Sequence, residues 1–299
     1  MSAAVLHHDT LESGTMDGGT TLAQDHDGAN LSVRDLTRLL HIDCPDEAWL
    51  ARTAFALRRV REGESLVRTG DKFHSLYVVR TGCFKTVYTD LSGSEQVLGF
   101  PMCGDLMGAD GIDCGHYSST AIALDTSEVV IVPLTSLARL KYECPGLEAL
   151  LYRVLSRELV RVQNMAWTLG TLGAEGRVAA FLLTLSARLG ALGYSRRAFN
   201  LRMTRQEIGS YLGLKLETVS RALSALNTSG VIHVHQRSID IVDADALRAV
   251  IDPAACIAAS IAPHVGSVPV RSEANNGKRA RKPLSQFPPG IAWQQLAVA

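Results

Sequence analysis

The chain has 299 residues, 46% of them hydrophobic, and 30 Lys plus Arg set against 30 Asp plus Glu. It is long and apolar enough for two domains with tails. A formal net charge of zero neither favours nor excludes an acidic partner, so local charge has to decide.

The opening residues, MSAAVLHHDTLESG, lack the basic and apolar regions of a signal peptide. Residues 1–30 hold five acidic residues and no Lys or Arg, and residues 1–45 are expected to form an acidic disordered tail. His7, His8 and His26 are scattered through it without metal-site spacing. Residues 46–144 then break into short β-rich runs: REGESLVRTGD, SLYVVRTGCFKTVYTDLSGSEQVLGF and STAIALDTSEVVIVP. Turns at Glu62-Gly63, Thr69-Gly70-Asp71, Thr81-Gly82 and Ser92-Gly93 punctuate them, which predicts a small antiparallel barrel or roll.

The period switches at Pro145, a residue suited to the first turn of a helix. Over 145–173 a helix is predicted, with Leu151, Leu155, Glu158, Val162, Met165 and Leu169 at 4-3 spacing. That spacing suggests a seam packed on a second copy of the helix, interrupted only by Glu158. The alternative is a helix lying on its own domain.

Residues 174–250 form a compact second domain. EGRVAAFLLTLSARLG is an amphipathic helix, and VIHVHQRSIDIVD folds as a hairpin around His235-Gln236-Arg237. Between them lies TRQEIGSYLGLKLETVSRALSALNTSGVI. Thr204 and Glu207 fit a capping box that starts a helix at Arg205. Gly213 can end that helix in the left-handed conformation, and a second helix starts near Leu216. Val219, Leu223 and Leu226 point inward, leaving Glu217, Ser220, Arg221 and Ser224 on the opposite face. Helix, glycine turn, polar-faced helix and hairpin make a winged helix-turn-helix. Arg can donate two bonds to guanine in the major groove, and a carboxylate can accept from cytosine. Residues 175–250 carry ten Lys/Arg and six Asp/Glu, a balance of +4 that suits phosphate contacts. A bare Glu217–Arg221 surface ion pair is the competing explanation of that face. Residues 251–299, with SEANNGKRARKPLSQFPPG, are expected to be a disordered tail.

The six cysteines, Cys44, Cys83, Cys103, Cys114, Cys144 and Cys256, stand at least 11 residues apart. No zinc knuckle or clustered iron–sulfur motif is visible, and buried free thiols are expected. No nucleotide-binding loop, metalloprotease motif or nucleophile elbow occurs, so an enzyme is not expected.

In this order of elements, and in GDLMGADGI (104–112), EGRVAAFLLTLSARL (175–189) and TRQEIGSYLGLKLETVSR (204–221), the chain resembles the Crp/Fnr transcription regulators over residues 46–250. The resemblance implies an α+β fold: a cyclic-nucleotide-binding-like β-roll, a long dimerisation helix and a C-terminal winged helix-turn-helix. The E-T-V-S-R run is similar to the Fnr branch. It implies that Glu217, Ser220 and Arg221 read TTGAT half-sites, with Thr204, Arg205 and Thr218 as further DNA-binding residues. The implied partners are double-stranded DNA, RNA polymerase and a second copy of the chain, in a cytoplasmic protein with no membrane partner. The implied role is redox, oxygen or nitrogen-oxide responsive control. A haem or cyclic-nucleotide-like sensor module with another output is the alternative.

The chain departs from the family twice. The arginine that holds a cyclic phosphate in cyclic-AMP-binding members is missing from Tyr117-Ser118-Ser119-Thr120. The Fnr cysteines reduce to Cys44 near the N-terminus, and Val130 stands at the β-roll position, so no [4Fe–4S] cluster of that pattern is expected. Cys44-Pro45 and Cys144-Pro145 are similar to haem-regulatory dipeptides, which leaves haem open, as it leaves redox chemistry at Cys83, Cys103 or Cys114.

Overall fold

The computed structural model describes residues 30–40, 54–136 and 145–251, with 145–150 as backbone. Strand β1 (Asn30–Ser32) pairs antiparallel with β2 (Ala54–Val60), and α1 (Val33–Leu39) follows it directly. This corrects the tail reading of 1–45 for residues 30–40. Ser32 caps α1 by accepting from the Asp35 amide, and Val33, Leu36 and Leu40, one helix face, enter the core.

The roll is made of β3 (Ser65–Val67), β4 (Ser75–Thr81), β5 (Phe84–Thr89), β6 (Glu95–Gly99), β7 (Leu106–Met107), helix α2 (Gly111–Cys114), β8 (Thr120–Ala123) and β9 (Ser127–Pro133). One sheet has the order β1-β2-β9-β4-β7 and the facing one β3-β8-β5-β6. Val130 of β9 lies opposite Leu57 of β2 and Val78 of β4, and all three are buried. The apolar run Leu76 to Val79 is buried on both faces, which is why it does not alternate cleanly in sequence.

Helix α3 (Pro145–Thr171) leaves the roll. Val154 is buried in the roll core with Leu151 against it, and Arg157 Nη2 donates to the Leu40 carbonyl at 2.7 Å. The 4-3 count gave Leu151, Leu155, Glu158, Val162, Met165 and Leu169 to the partner side. The structure turns Leu151 onto the roll and Met165 onto the second core, and brings Glu158 to Arg161 at 2.8 Å. Leu159 (58% exposed), Val162 (65%), Ala166 and Leu169 form the outward stripe, with half-buried Leu155 in line. These residues repeat at 4-3 spacing too, in a register shifted by one residue at alternate positions.

After a break at Leu172-Gly173, α4 (Ala174–Ala191) begins the second domain. Helices α5 (Arg205–Leu212) and α6 (Leu216–Thr228) follow, then the wing. The wing has three strands where two were expected: β10 (Ala198–Asn200), β11 (Ile232–His235) and β12 (Ser238–Ile241), in the order β10-β12-β11. Helix α7 (Ala244–Ile251) packs back on α4, with Leu247 fully buried. The core of this domain is continuous with Cys83, Val87, Val97, Phe100 and Met102 of the roll. At that junction Phe100 lies 5.2 Å from Tyr211 and 6.0 Å from Phe181, ring centre to ring centre.

Candidate nucleic-acid interface

The first helix of the motif starts as its sequence demands. Glu207 N–H donates to Thr204 Oγ1 at 3.2 Å, and Thr204 N–H donates to the Glu207 carboxylate at 2.7 Å. Gly213 ends α5 at φ 64°, a conformation strained for any other residue. Gly209 makes the turn tight: a β-carbon there would stand 2.6 Å from the Leu214 carbonyl oxygen, so only hydrogen fits. Val219, Ala222, Leu223 and Leu226 then bury one face of α6.

The other face is presented outward. Glu217, Arg221 and Ser224 are exposed, while Thr218 and Ser220 are half-buried. Among the described residues no ion pair joins Glu217 to Arg221, so the competing explanation of this face is not the arrangement seen. Arg205 Nη1 reaches over the turn to Ser220 Oγ at 3.3 Å. Thr204 is exposed, but its hydroxyl is held in the cap. Of the six candidate residues, Arg205, Glu217, Ser220 and Arg221 thus gather at one surface. Thr204 and Thr218 stand at the first turns of the two helices.

The wing adds residues that were not singled out as contacts. Gln236 turns the hairpin at φ 54° and Arg237 follows it. Both line a hollow of about 320 Å³ with Leu201, Met203, Thr204 and Arg205. Their signal was the polar His235-Gln236-Arg237 run between two apolar strands.

Residues 176–250 match the Crp-like helix-turn-helix domain family, and residues 57–141 match the cyclic nucleotide-binding domain family. The transcriptional regulatory protein btr of Bordetella pertussis is 41% identical over 198 residues, which cover 66% of this chain and 82% of that protein. The chain belongs to the Crp/Fnr family. It is therefore related to DNA-binding transcription regulators and not to enzymes. The fumarate and nitrate reduction regulatory protein of Escherichia coli K12 is 41% identical over 188 residues, covering 63% of this chain and 75% of that one. Among solved structures, FixK2 from Bradyrhizobium japonicum aligns with a TM-score of 0.60 at 28% identity, over 66% of this chain and 98% of its own. TTHA1359, a Crp/Fnr regulator from Thermus thermophilus, shares the fold with a TM-score of 0.54 at 20% identity, over 66% of this chain and 98% of its own.

The family implies a cyclic nucleotide, but the residues present do not fit one. The Ser118 amide and the Ser119 hydroxyl, donors that a phosphate would need, both bond the Asp110 carboxylate, at 3.1 and 2.8 Å. That fixed negative charge, with no arginine in Tyr117–Thr120, repels a cyclic phosphate. An Fnr-type cluster finds no ligand at Val130, whose side chain is buried in β9. Among the described residues no group of three Cys, His, Asp or Glu is placed to hold a metal. Cys44, Cys144 and Cys256 lie outside the described residues, and so do the haem-type dipeptides. Burial pushes the Cys83 thiol up to about 11. Burial, with Asp105 adding to it, raises Cys103 as well. Cys114 is exposed. No described helix is long and apolar enough to cross a membrane.

Proposed function

We propose that this protein is a homodimeric transcription activator that reads a TTGAT-N4-ATCAA palindrome and contacts RNA polymerase at its promoters. The observation that carries this reading is the outward face of α6, where Glu217, Ser220 and Arg221 stand within two helical turns and, among the described residues, no ion pair joins Glu217 to Arg221. Arg221 donates to the half-site guanine, and Glu217 accepts from the cytosine N4 amino group. Arg205, Thr204, Thr218 and the wing residue Arg237 lie where the backbone passes. The stripe Leu155, Leu159, Val162, Ala166 and Leu169 is the dimer seam, burying apolar surface against its copy. Two-fold symmetry then spaces the half-sites about one helical turn, ~34–36 Å, apart.

Relatives at 41% identity are named for fumarate and nitrate reduction, which supports respiratory, redox-linked control of target genes. A gel-shift titration tests the reading. The palindrome should bind tightly, and the same half-sites with five extra base pairs between them should not. Equal binding to both duplexes would remove the dimeric, half-site reading.

A further inference from the structure

The chain between the dimer helix and the reader is thin. Helix α3 ends at Thr171, and Gly173, in extended conformation, is the N-cap of α4. Arg177 of α4 fastens that link at one point, donating to the Leu169 and Leu172 carbonyls and to the Leu212 carbonyl at the far end of α5, near where Met165 meets the second core. Yet a palindrome of fixed spacing demands that both reading helices keep one distance from the two-fold axis.

The roll supplies a second attachment. Lys85 Nζ of β5 lies 2.7 Å from Glu207 Oε1, and the two side chains are only 19% and 17% exposed. The other oxygen of Glu207 takes the Thr204 amide at 2.7 Å. One carboxylate thus ties the first turn of α5 to itself and to the sensor. One helical turn on, Ser210 Oγ accepts from the Val97 backbone N–H at 2.9 Å, and its carbonyl accepts from the Gln96 side chain. β6 is the edge of its sheet, so α5 takes up an amide the sheet leaves open. Tyr211 closes the dock against Phe100. The opposite face of α5, Ile208, Gly209 and Leu212, is buried in the reader's own core.

We infer that Lys85 is a positioning residue for DNA binding: by holding Glu207 it locks α5 to the sensor and sets the half-site spacing the dimer accepts. The path is continuous. The seam lies on α3; α3 is fixed to the roll by Val154 and by Arg161, whose Nη2 is 2.6 Å from Asp105; the roll holds α5; and α5 carries α6 across the Gly213 turn. Asp105, buried in the roll, also pairs with Arg188 of α4, which donates to the Phe100 carbonyl at 3.2 Å and so adds to the same junction. The inference rests on the two-half-site reading above.

The test compares the full-length protein with Lys85→Met and Lys85→Arg. Binding is titrated on TTGAT-Nx-ATCAA duplexes with x of 3, 4 and 5, and amide exchange at Val97 reads the dock without DNA. The wild type should favour one spacing by about tenfold or more, as expected where a bidentate reading contact is lost from one half-site. Lys85→Met should flatten that preference to about threefold or less and lose Val97 protection, while circular dichroism shows the fold kept. Lys85→Arg should restore both. A Lys85→Met protein with the wild-type spacing profile, or with Val97 still protected, overturns the inference. Loss of protection in a protein whose wild type binds none of the duplexes leaves the dock standing. It removes the half-site reading and, with it, the ruler.

Discussion

Arg205, in the first turn of α5, donates to the Ser220 hydroxyl of α6 at 3.3 Å and so ties the carrier helix to the reading helix across the Gly213 turn. Ser220 is half-buried beneath it while Arg221, one residue on, stands clear in solvent. The small side chain leaves room for a base edge, and the long one reaches it. Arg221→Ala should therefore cost ~1–3 kcal/mol of discrimination at the half-site guanine. It should hardly change binding to duplexes with that guanine already replaced. A uniform loss on all duplexes would make Arg221 a phosphate contact.

The seam proposed on the outward stripe of α3 names the substitutions that should part the dimer. Val162→Asp places a charge where each copy faces its partner, and forfeits ~1.5 kcal/mol or more of apolar burial per protomer. Sedimentation should show a ligand-free dimer at micromolar concentration for the wild type and a monomer for Val162→Asp. Glu158→Gln should leave the dimer intact, because Glu158 turns to Arg161. The reverse order of effects would restore the register that includes Glu158.

Acid should loosen the dock. Burial pushes Glu207 up, but the hydrogen bond from Lys85 and those from Thr204 outweigh it and hold the carboxyl below the usual glutamate range. A depressed acid contributes stability above its unfolded value, about 4.3, and loses it as pH falls through the lower folded value. Thermal melts should thus fall more steeply below about pH 4.3 in the wild type than in Lys85→Met. Parallel curves would separate Glu207 from the stability of the junction.

Thiol reactivity should divide the described cysteines. At pH 8 a thiol raised to about 11 is almost wholly protonated, so Cys83 should resist alkylation until the protein unfolds. Cys114 should label at once. Mass-spectrometric mapping of native and denatured samples settles both. Anaerobic reconstitution with iron and sulfide should likewise leave no air-bleached absorption near ~400 nm, the mark of a four-thiolate cluster.

Calorimetry with cyclic AMP should show no binding, because Asp110 already occupies the Ser118 and Ser119 donors. Micromolar binding that improves DNA affinity would contradict this.

Much of this architecture was legible in the sequence, because local chemistry specifies it. The Thr204–Glu207 box, the Gly213 stop and the 4-3 burial of Val219, Leu223 and Leu226 need no distant partner. The outward stripe of α3 was not legible, for α3 is apolar on two adjacent faces. Leu155, Val162 and Leu169 belong to either count, and only the side on which the roll lies decides between Met165 and Ala166. Residues 30–40 were hidden by averaging: acidic flanks masked Val33, Leu36 and Leu40, three side chains that matter only once β2 is beside them. The strand β10 is three residues long and owes its form to β12. Arg237 could be read as a wing residue, but not as a neighbour of Arg205, since 32 positions of chain separate them.

The carboxylate of Asp110 changes what kind of switch this molecule can be. The Ser118 amide and the Ser119 hydroxyl are already engaged by a carboxylate of the same domain. An anionic ligand would have to displace a tethered rival whose local concentration never falls. A signal of another kind, such as the redox state proposed above, has no such competitor to unseat.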